Sequence, residues 1–333
     1  MKEFKITVIV PIYNTEKYIR QCAKSLFSQT MLEGVEFLFI NDGSSDNSEN
    51  ELIQVVDEFP NIREQIRIIS NIKNKGITFT RKLGVNEAKG EYIAWVDSDD
   101  WVNEDFVECM YGATEGGNID IVIQNMTRHI FSNGNEIINV QVFESMPTPK
   151  KALEYFWTEK HVPRGLPFQI SRKQLVQDAI SQVHAVNFAE DTFTLLHLFA
   201  TAKSARWIGK SFYHYRKLDN GQSLTTRPFQ STAEWVMQKR NIDAICKKLQ
   251  LQGSLFKTTI SYIKWSWKRE FRCIFSSTKD YWYEYHECYD DICTMYGIHG
   301  AFSRTVTWIC CNIYPLYRFR LTLSKGRAFY QSI

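Results

Sequence analysis

The sequence predicts an α/β protein: a mostly parallel central sheet with helices on both faces, followed by a helical C-terminal region. Three observations predict it. Continuous apolar runs alternate with amphipathic stretches in the first third of the chain. A polar, turn-forming cluster follows each apolar run at once. The character of the chain then changes near residues 115 and 228. Unbroken apolar runs mark strands buried on both faces, as in sheets whose parallel strands are joined by crossover helices.

In order, ITVIVPIY (6–13) reads as a buried strand and KYIRQCAKSLFSQ as the helix after it. VEFLFIN (35–41) is a second strand, followed by a helix from about Asn47 to Glu58. IRIIS (66–70) is a third strand, ITFTRKLGVNEAKG the next helix, and EYIAWV (91–96) a fourth strand. Ligands of such sheets bind beyond the carboxyl ends of the strands. The polar clusters fall there: Tyr13-Asn14, Asp42-Gly43-Ser44, Asn71 to Gly76, and the run DSDD. Past residue 115, IDIVIQNMTRHIF and NEIINVQVF flank Ser132-Asn133-Gly134, a hairpin signal in a more antiparallel extension. FAEDTFTLLHLFATA has a helical pattern. From about Ser231 to Met295 the chain reads as helical, rich in Trp, Tyr, Lys and Arg. The expected organisation is therefore an α/β unit, 1–227, and a helical, aromatic and basic region, 228–333.

The 333 residues, 44% apolar and 23% charged, suffice for a large core. A net charge of +3 does not point to nucleic acid. Its distribution is uneven: Arg304, Arg318, Arg320, Lys325 and Arg327 lie beyond Ala301 with no acidic residue among them. A basic, aromatic end suits a membrane surface or another anionic partner, or forms the solvated face of a helical subdomain. The eight cysteines show no CxxC pair or disulfide framework, which fits a reducing, cytoplasmic setting. The apolar core of MKEFKITVIVPIYN is too short for a signal peptide, and TVTWICCNIYPLY is too short to span a bilayer. HECYDDIC (286–293) has no usual zinc spacing and reads as helix surface.

The densest chemistry is at DSDD. Asp97, Asp99 and Asp100 repel one another unless a cation or hydrogen bonds compensate. Mg²⁺ and Mn²⁺ are commonly held by one or two carboxylates plus substrate phosphate. In an extended segment Asp97 and Asp99 share a face with Ser98 opposite, while Asp100 bonds a ligand or caps the next helix. The alternative is that these aspartates cap a helix at Asn103. Asp46 and Glu49 have the spacing of a capping box. Asp42, directly off its strand, can accept from a base imide or a ribose hydroxyl. Lys73, Lys75, Arg81 and Lys82 either complement a diphosphate or form a solvated helix face. Glu190 and Asp191 precede a helical pattern, so Asp191 is either a helix N-cap or a general base. The absence of GxGxxG and GxxxxGK[ST] argues against a dinucleotide dehydrogenase or a P-loop enzyme.

VIVPIYN, INDGSSDNS, NKGITFTRKLG, EYIAWVDSDD, AEDTFTL and YHYRKLDNGQS occur in this order, and together they resemble the family 2 inverting glycosyltransferases. The resemblance covers residues 4–115 closely and extends to about 227. It implies the GT-A, Rossmann-like fold, a nucleotide-sugar donor and a bacterial surface-polysaccharide setting. It further implies that Pro11, Tyr13 and Thr15 line the nucleotide pocket, with Tyr13 against the base, and that Asp42 bonds the base. Arg81 would lie near the diphosphate or support the acidic loop. Asp97 would face the ribose or donor sugar, with Ser98 also in the nucleotide-sugar site and Asp97 and Asp99 at the metal, Mn²⁺ or Mg²⁺. Asp191 would be the catalytic base, with Glu190 positioning acceptor or base. His214, Arg216 and Ser223 would belong to a later loop over the diphosphate. The family often has Asn after the arginine, where this chain has Lys82.

The expected function is transfer of a hexose or N-acetylhexosamine from a UDP-linked or other nucleoside-diphosphate sugar. The acceptor is a hydroxyl of a glycan or lipid-linked glycan, and one inverting displacement forms a β-linkage. Competing readings are a non-catalytic nucleotide-sugar-binding scaffold and a nucleotidyltransferase, though no triphosphate-binding loop is visible. The C-terminal region would serve peripheral contact with the inner face of the cell membrane, or a homodimer. No nucleic-acid partner is expected.

Overall fold

The structure is a computed structural model and describes residues 3–132, 135–141, 148–149, 165–183 and 190–218. The chain divides into two compact units, Met1–Arg227 and Pro228–Ile333, and the described residues lie in the first. Ser223, HECYDDIC and the aromatic, basic C-terminal region fall outside the described residues.

The elements are β1 (Ile6–Ile12), α1 (Ile19–Phe27), β2 (Val35–Asn41), α2 (Ser48–Asp57), β3 (Ile66–Ser70), α3 (Ile77–Glu87), β4 (Tyr92–Trp95), β5 (Trp101–Val102) and α4 (Phe106–Gly112). After them come β6 (Ile121–Ser132), β7 (Asn135–Gln141), β8 (Gln169–Arg172), α5 (Lys173–Ser181), α6 (Glu190–Thr201) and β9 (Ala205–Leu218). One sheet runs β3-β2-β1-β4-β8-β6-β9-β5, with β7 paired to β6. β3, β2, β1 and β4 are mutually parallel, whereas β8 is antiparallel to both β4 and β6. This is the expected Rossmann-like sheet with its antiparallel extension, and β6 and β7 form the expected hairpin.

Every residue of β1 and β2 is buried, which explains their unbroken apolar character. Besides Asn41 at the end of β2, Thr7 and Glu36 are the polar members. They satisfy each other at 2.6 Å, and Arg67 donates to Glu36 at 2.8 Å, as a buried carboxylate requires. α1 buries Ile19, Cys22, Ala23, Leu26 and Phe27, a helical stripe laid on the sheet. Gly84 lets α3 approach β1, because a Cβ there would stand 2.6 Å from Ile9 Cγ2. Pro11 is tolerated in a central strand for a local reason. The N–H of Val96 bonds Ile9 O, so odd residues of β1 face β4, and that pairing ends at Ile9 and Trp95. The ladder has no further need of an N–H at Pro11.

Two local expectations are corrected. No helix begins at Asn103: Trp101–Val102 is a strand against β9, and α4 starts at Phe106 after Asp105. The aspartates of DSDD therefore cap nothing. The Asp46–Glu49 capping box does not form either. Asp46 accepts from the N–H groups of Ser48 (3.1 Å) and Glu16 (3.0 Å), while Glu49 turns to Asn41 (2.6 Å) and Ser70 (2.7 Å). Glu49 thus ties its helix to the sheet rim, while Asp46 joins the first residue of α2 to the loop after β1 instead of completing a capping box.

Candidate active site

Parallel register brings the ends of β1, β2, β3 and β4 to one rim, and side chains tie the four loops together. Asn14 N–H donates to Ser44 Oγ at 3.1 Å and Thr15 N–H to Ser48 Oγ at 2.8 Å. Thr15 Oγ1 donates to Ser98 Oγ at 3.1 Å, joining the first loop to the acidic one. Gly43, at φ 67°, lies where a Cβ would meet the backbone of Lys73 at 2.6 Å, so the second and third loops can touch only with glycine there. Tyr13 stands exposed at the rim, free to stack on a flat ligand, and Pro11 is buried beneath it. Asp42 is 3% exposed. Its carboxylate accepts from Asn71 Nδ2 (2.9 Å) and from the N–H groups of Lys75 (3.0 Å) and Gly76 (2.8 Å). In this structure Asp42 shapes the third loop.

The acidic run is a turn, not the extended segment expected, and Asp100 N–H donates to Asp97 O at 3.0 Å. Ser98 is buried and faces Thr15. Asp100 caps no helix. It is 1% exposed, and its carboxylate accepts from Tyr213 Oη at 2.6 Å and Arg216 N–H at 2.7 Å. Tyr213 Oη also accepts from Asp97 N–H at 3.1 Å, so one buried phenol fastens both ends of the turn. Burial, then the charges of Asp99 and Asp97, push the Asp100 carboxyl well up. Asp99 is pushed up to about 6, first by burial and then by Asp97.

No Lys, Arg or His among the described residues forms an ion pair with Asp99. Two crowded carboxylates, one reluctant to ionise, are electrostatically suited to a divalent cation. No group of three or more metal-ligating side chains gathers among the described residues. A pair of carboxylates on a turn nevertheless fits an ion that takes its remaining oxygens from substrate phosphate and water.

Arg81 supplies the opposite charge. Its side chain is 4% exposed and lies over the Trp95 ring, 5.6 Å from the centroid. Nη1 donates to Glu190 at 2.7 Å and also contacts Asp191, while Nη2 lies 3.3 Å from Asp97. Through Asp97, Arg81 reaches the acidic loop. Asp191 is the second residue of α6, inside its first turn and not at an N-cap. One guanidinium thus links the acidic turn after β4 to the carboxylate pair that opens α6. Burial raises the Glu190 carboxyl, and the Arg81 charge partly restrains that rise.

His214 and Arg216 were expected on a loop; both lie within β9, whose Trp101 partner on β5 faces His214. Arg216 sits among the rings of Trp101 (4.7 Å), Tyr18 (4.9 Å) and Phe131 (5.3 Å) and donates from Nε to Asp99 O at 2.9 Å. It holds the acidic turn from behind, an arrangement only a strand could keep in register. His214 stacks on Trp101 at 5.2 Å and hydrogen-bonds His129 at 2.8 Å. Burial and His129 hold its imidazole down at about 4, so it is neutral near pH 7. Sequence reasoning missed Tyr213 and Trp101. Their only signal was the aromatic YHYR run and the Trp directly after DSDD, which reads equally well as core.

The fold and this carboxylate-rich rim define a glycosyltransferase of the GT-A type. The family model described as Glycosyl transferase family 2 matches residues 7–177, and the chain belongs to that family. Relatives include EpsH of Bacillus subtilis (strain 168), 29% identical over 221 residues, 63% of this chain and 60% of EpsH. The glycosyltransferase GlyG of Streptococcus pneumoniae serotype 4 is 29% identical over 222 residues, 64% of this chain and 70% of GlyG. This chain thus spans less than two thirds of EpsH. The crystal structure of S. aureus TarS 1-349 in complex with UDP-GlcNAc superposes with a TM-score of 0.70 at 17% identity, covering 98% of this chain and 92% of that one. The likeness bears on the fold. No described helix is long and apolar enough to cross a membrane.

Proposed function

We propose that this glycosyltransferase moves a hexose or N-acetylhexosamine from a UDP-linked sugar to a hydroxyl of a glycan or lipid-linked glycan, inverting the anomeric centre to a β-linkage in surface polysaccharide synthesis. The observation that carries this reading is the Arg81 bridge, which sets Asp191 beside the Asp97–Asp99 turn. A donor diphosphate at the turn would then present its sugar to Asp191. A GT-A fold neighbour in complex with UDP-GlcNAc supports the choice of nucleotide. The basic, aromatic C-terminal sequence supports docking at the inner face of the cell membrane, where a lipid-linked acceptor would be met.

Asp97 and Asp99 would hold Mn²⁺ or Mg²⁺. When bound, the ion supplies a Lewis acid against the charge growing on the departing diphosphate. Asp191 accepts the proton of the acceptor hydroxyl while that oxygen attacks the anomeric carbon. The bond from that carbon to the diphosphate oxygen breaks, and its electron pair leaves with the nucleotide. Arg81 and Glu190 keep Asp191 oriented.

The test is Asp191→Asn, with thermal shift by UDP measured alongside. Turnover should fall by about 10² to 10⁴-fold, while the UDP-dependent shift, with and without Mn²⁺, is retained. Undiminished turnover would remove Asp191 from the base role. A lost UDP shift would place it in donor binding instead.

A further inference from the structure

The connection that delivers Glu190 and Asp191 starts at Val183, just past α5. There the N–H groups of Gln182 and Val183 bond Ala179 O and Ile180 O, each at 3.2 Å, ending the helix in a tight turn. Val183 is buried, and its carbonyl accepts from Lys82 Nζ at 2.6 Å. Lys82 is half-buried, and burial pulls its ammonium below the usual lysine range. A lysine at the last carbonyls of a helix is favourable in itself, which would make Lys82 a local fastener of α5. Its neighbour on α3 gives the contact a second meaning. Arg81 grips Glu190 and Asp191, the far end of the same connection. Two adjacent residues of α3 therefore hold the end of α5, at Val183, and the start of α6, at Glu190 and Asp191.

We infer that Lys82 is a positioning residue for Asp191: by holding the end of α5, which packs against both α3 and α6, it sets where the first turn of α6 meets Arg81. This rests on Asp191 being the base. Lys82 bonds Val183 and not the acidic turn, so it acts on the placement of Asp191 and not on the donor.

The experiment compares Lys82→Met and Lys82→Arg in the wild-type and Asp191→Asn backgrounds of the full chain. UDP release from UDP-N-acetylglucosamine and thermal shift by UDP are read for each, with amide hydrogen exchange over residues 194–196. Small displacements of a catalytic group can cost on the order of 10²-fold, so K82M should lower kcat by roughly 10- to 100-fold with donor KM and the UDP shift unchanged. K82R should recover most of the loss. In the D191N background K82M should add little, since two changes acting on one group are not additive. Exchange at 194–196 should accelerate in K82M whatever donor the enzyme uses. A full additional loss in D191N, a weakened UDP shift in K82M, or unchanged exchange at 194–196 would each overturn the inference. Failure of the base reading shows separately, as full turnover in D191N alone. If K82M does not fold, K82Q takes its place in the cycle, because its amide is too short to reach Val183.

Discussion

Removing the charge of Arg81 while keeping its bulk, as in Arg81→Met, should destabilise the protein in a way that grows with pH. The guanidinium faces three carboxylates, but they are not equivalent. The Asp97 and Asp191 side chains are 34% and 25% exposed, so water screens them, and each contributes about 0–1 kcal/mol. Glu190 is 11% exposed and carries most of the effect, because breaking a buried pair costs about 3–5 kcal/mol when the remaining charge is stranded. Glu190 can escape by taking a proton. Doing so costs about 1.4 kcal/mol for each pH unit above its ordinary value of 4.5, which caps its share at ~3.5 kcal/mol at pH 7 and below ~1 kcal/mol at pH 5. The sign is unambiguous. Burial already raises the Glu190 carboxyl in the fold, and losing Arg81 raises it further. A raised carboxyl contributes stability that is present at low pH and lost as pH rises through its folded value. Urea denaturation at pH 5 and pH 7 should show the gap between wild type and variant widening by about 2 kcal/mol. Glu190→Gln added to the variant should close most of the pH 7 gap. A gap independent of pH, or one under about 1 kcal/mol at pH 7, would refute the assignment of Arg81 as the neutraliser of a buried carboxylate.

Two further outcomes follow from the acidic turn. Tyr213→Phe removes the hydroxyl shared by Asp100 and Asp97 N–H, leaves buried polar atoms without a partner and should cost about 1–3 kcal/mol in denaturant unfolding. Wild-type stability at neutral pH would show that the phenol is not the fastener of the turn. Asp99→Asn should stabilise the metal-free protein near pH 7 but not near pH 4. Asp99 is raised to about 6, so its contribution is present below its ordinary 3.8 and lost as pH rises through 6; the variant escapes that loss. The same variant should lose the Mn²⁺-dependent part of UDP stabilisation in a thermal-shift assay. Equal metal dependence in both proteins would mean that Asp99 does not hold the ion.

Much of the fold was legible because burial on both faces leaves a direct mark in sequence. ITVIVPIY, VEFLFIN, IRIIS and EYIAWV became β1 to β4 within a residue or two; β1, β2 and β4 are buried throughout and have no solvent face to record in alternation, whereas β3, at the sheet edge, is only partly buried. Local polar chemistry was read less well. Asp46 and Glu49 had the spacing of a capping box, but nearby loops offered other donors and took both side chains. DSDD was read as an extended run and proved to be a turn, because Tyr213 and Arg216 approach it from a strand more than a hundred residues later.

By itself, the sequence determined the class of fold, the rim on which the polar loops gather and the carboxylates that chemistry there would need. Those properties depend on neighbouring residues: apolar continuity, helical period and the turn that follows a buried strand. Tertiary structure alone decided how the charges are shared. Arg81 serves three carboxylates, Asp100 is a buried fastener, and Arg216 acts from within β9. Charge pairing in a buried site depends on distances of a few ångströms between segments far apart in the chain, and spacing along the sequence does not encode them.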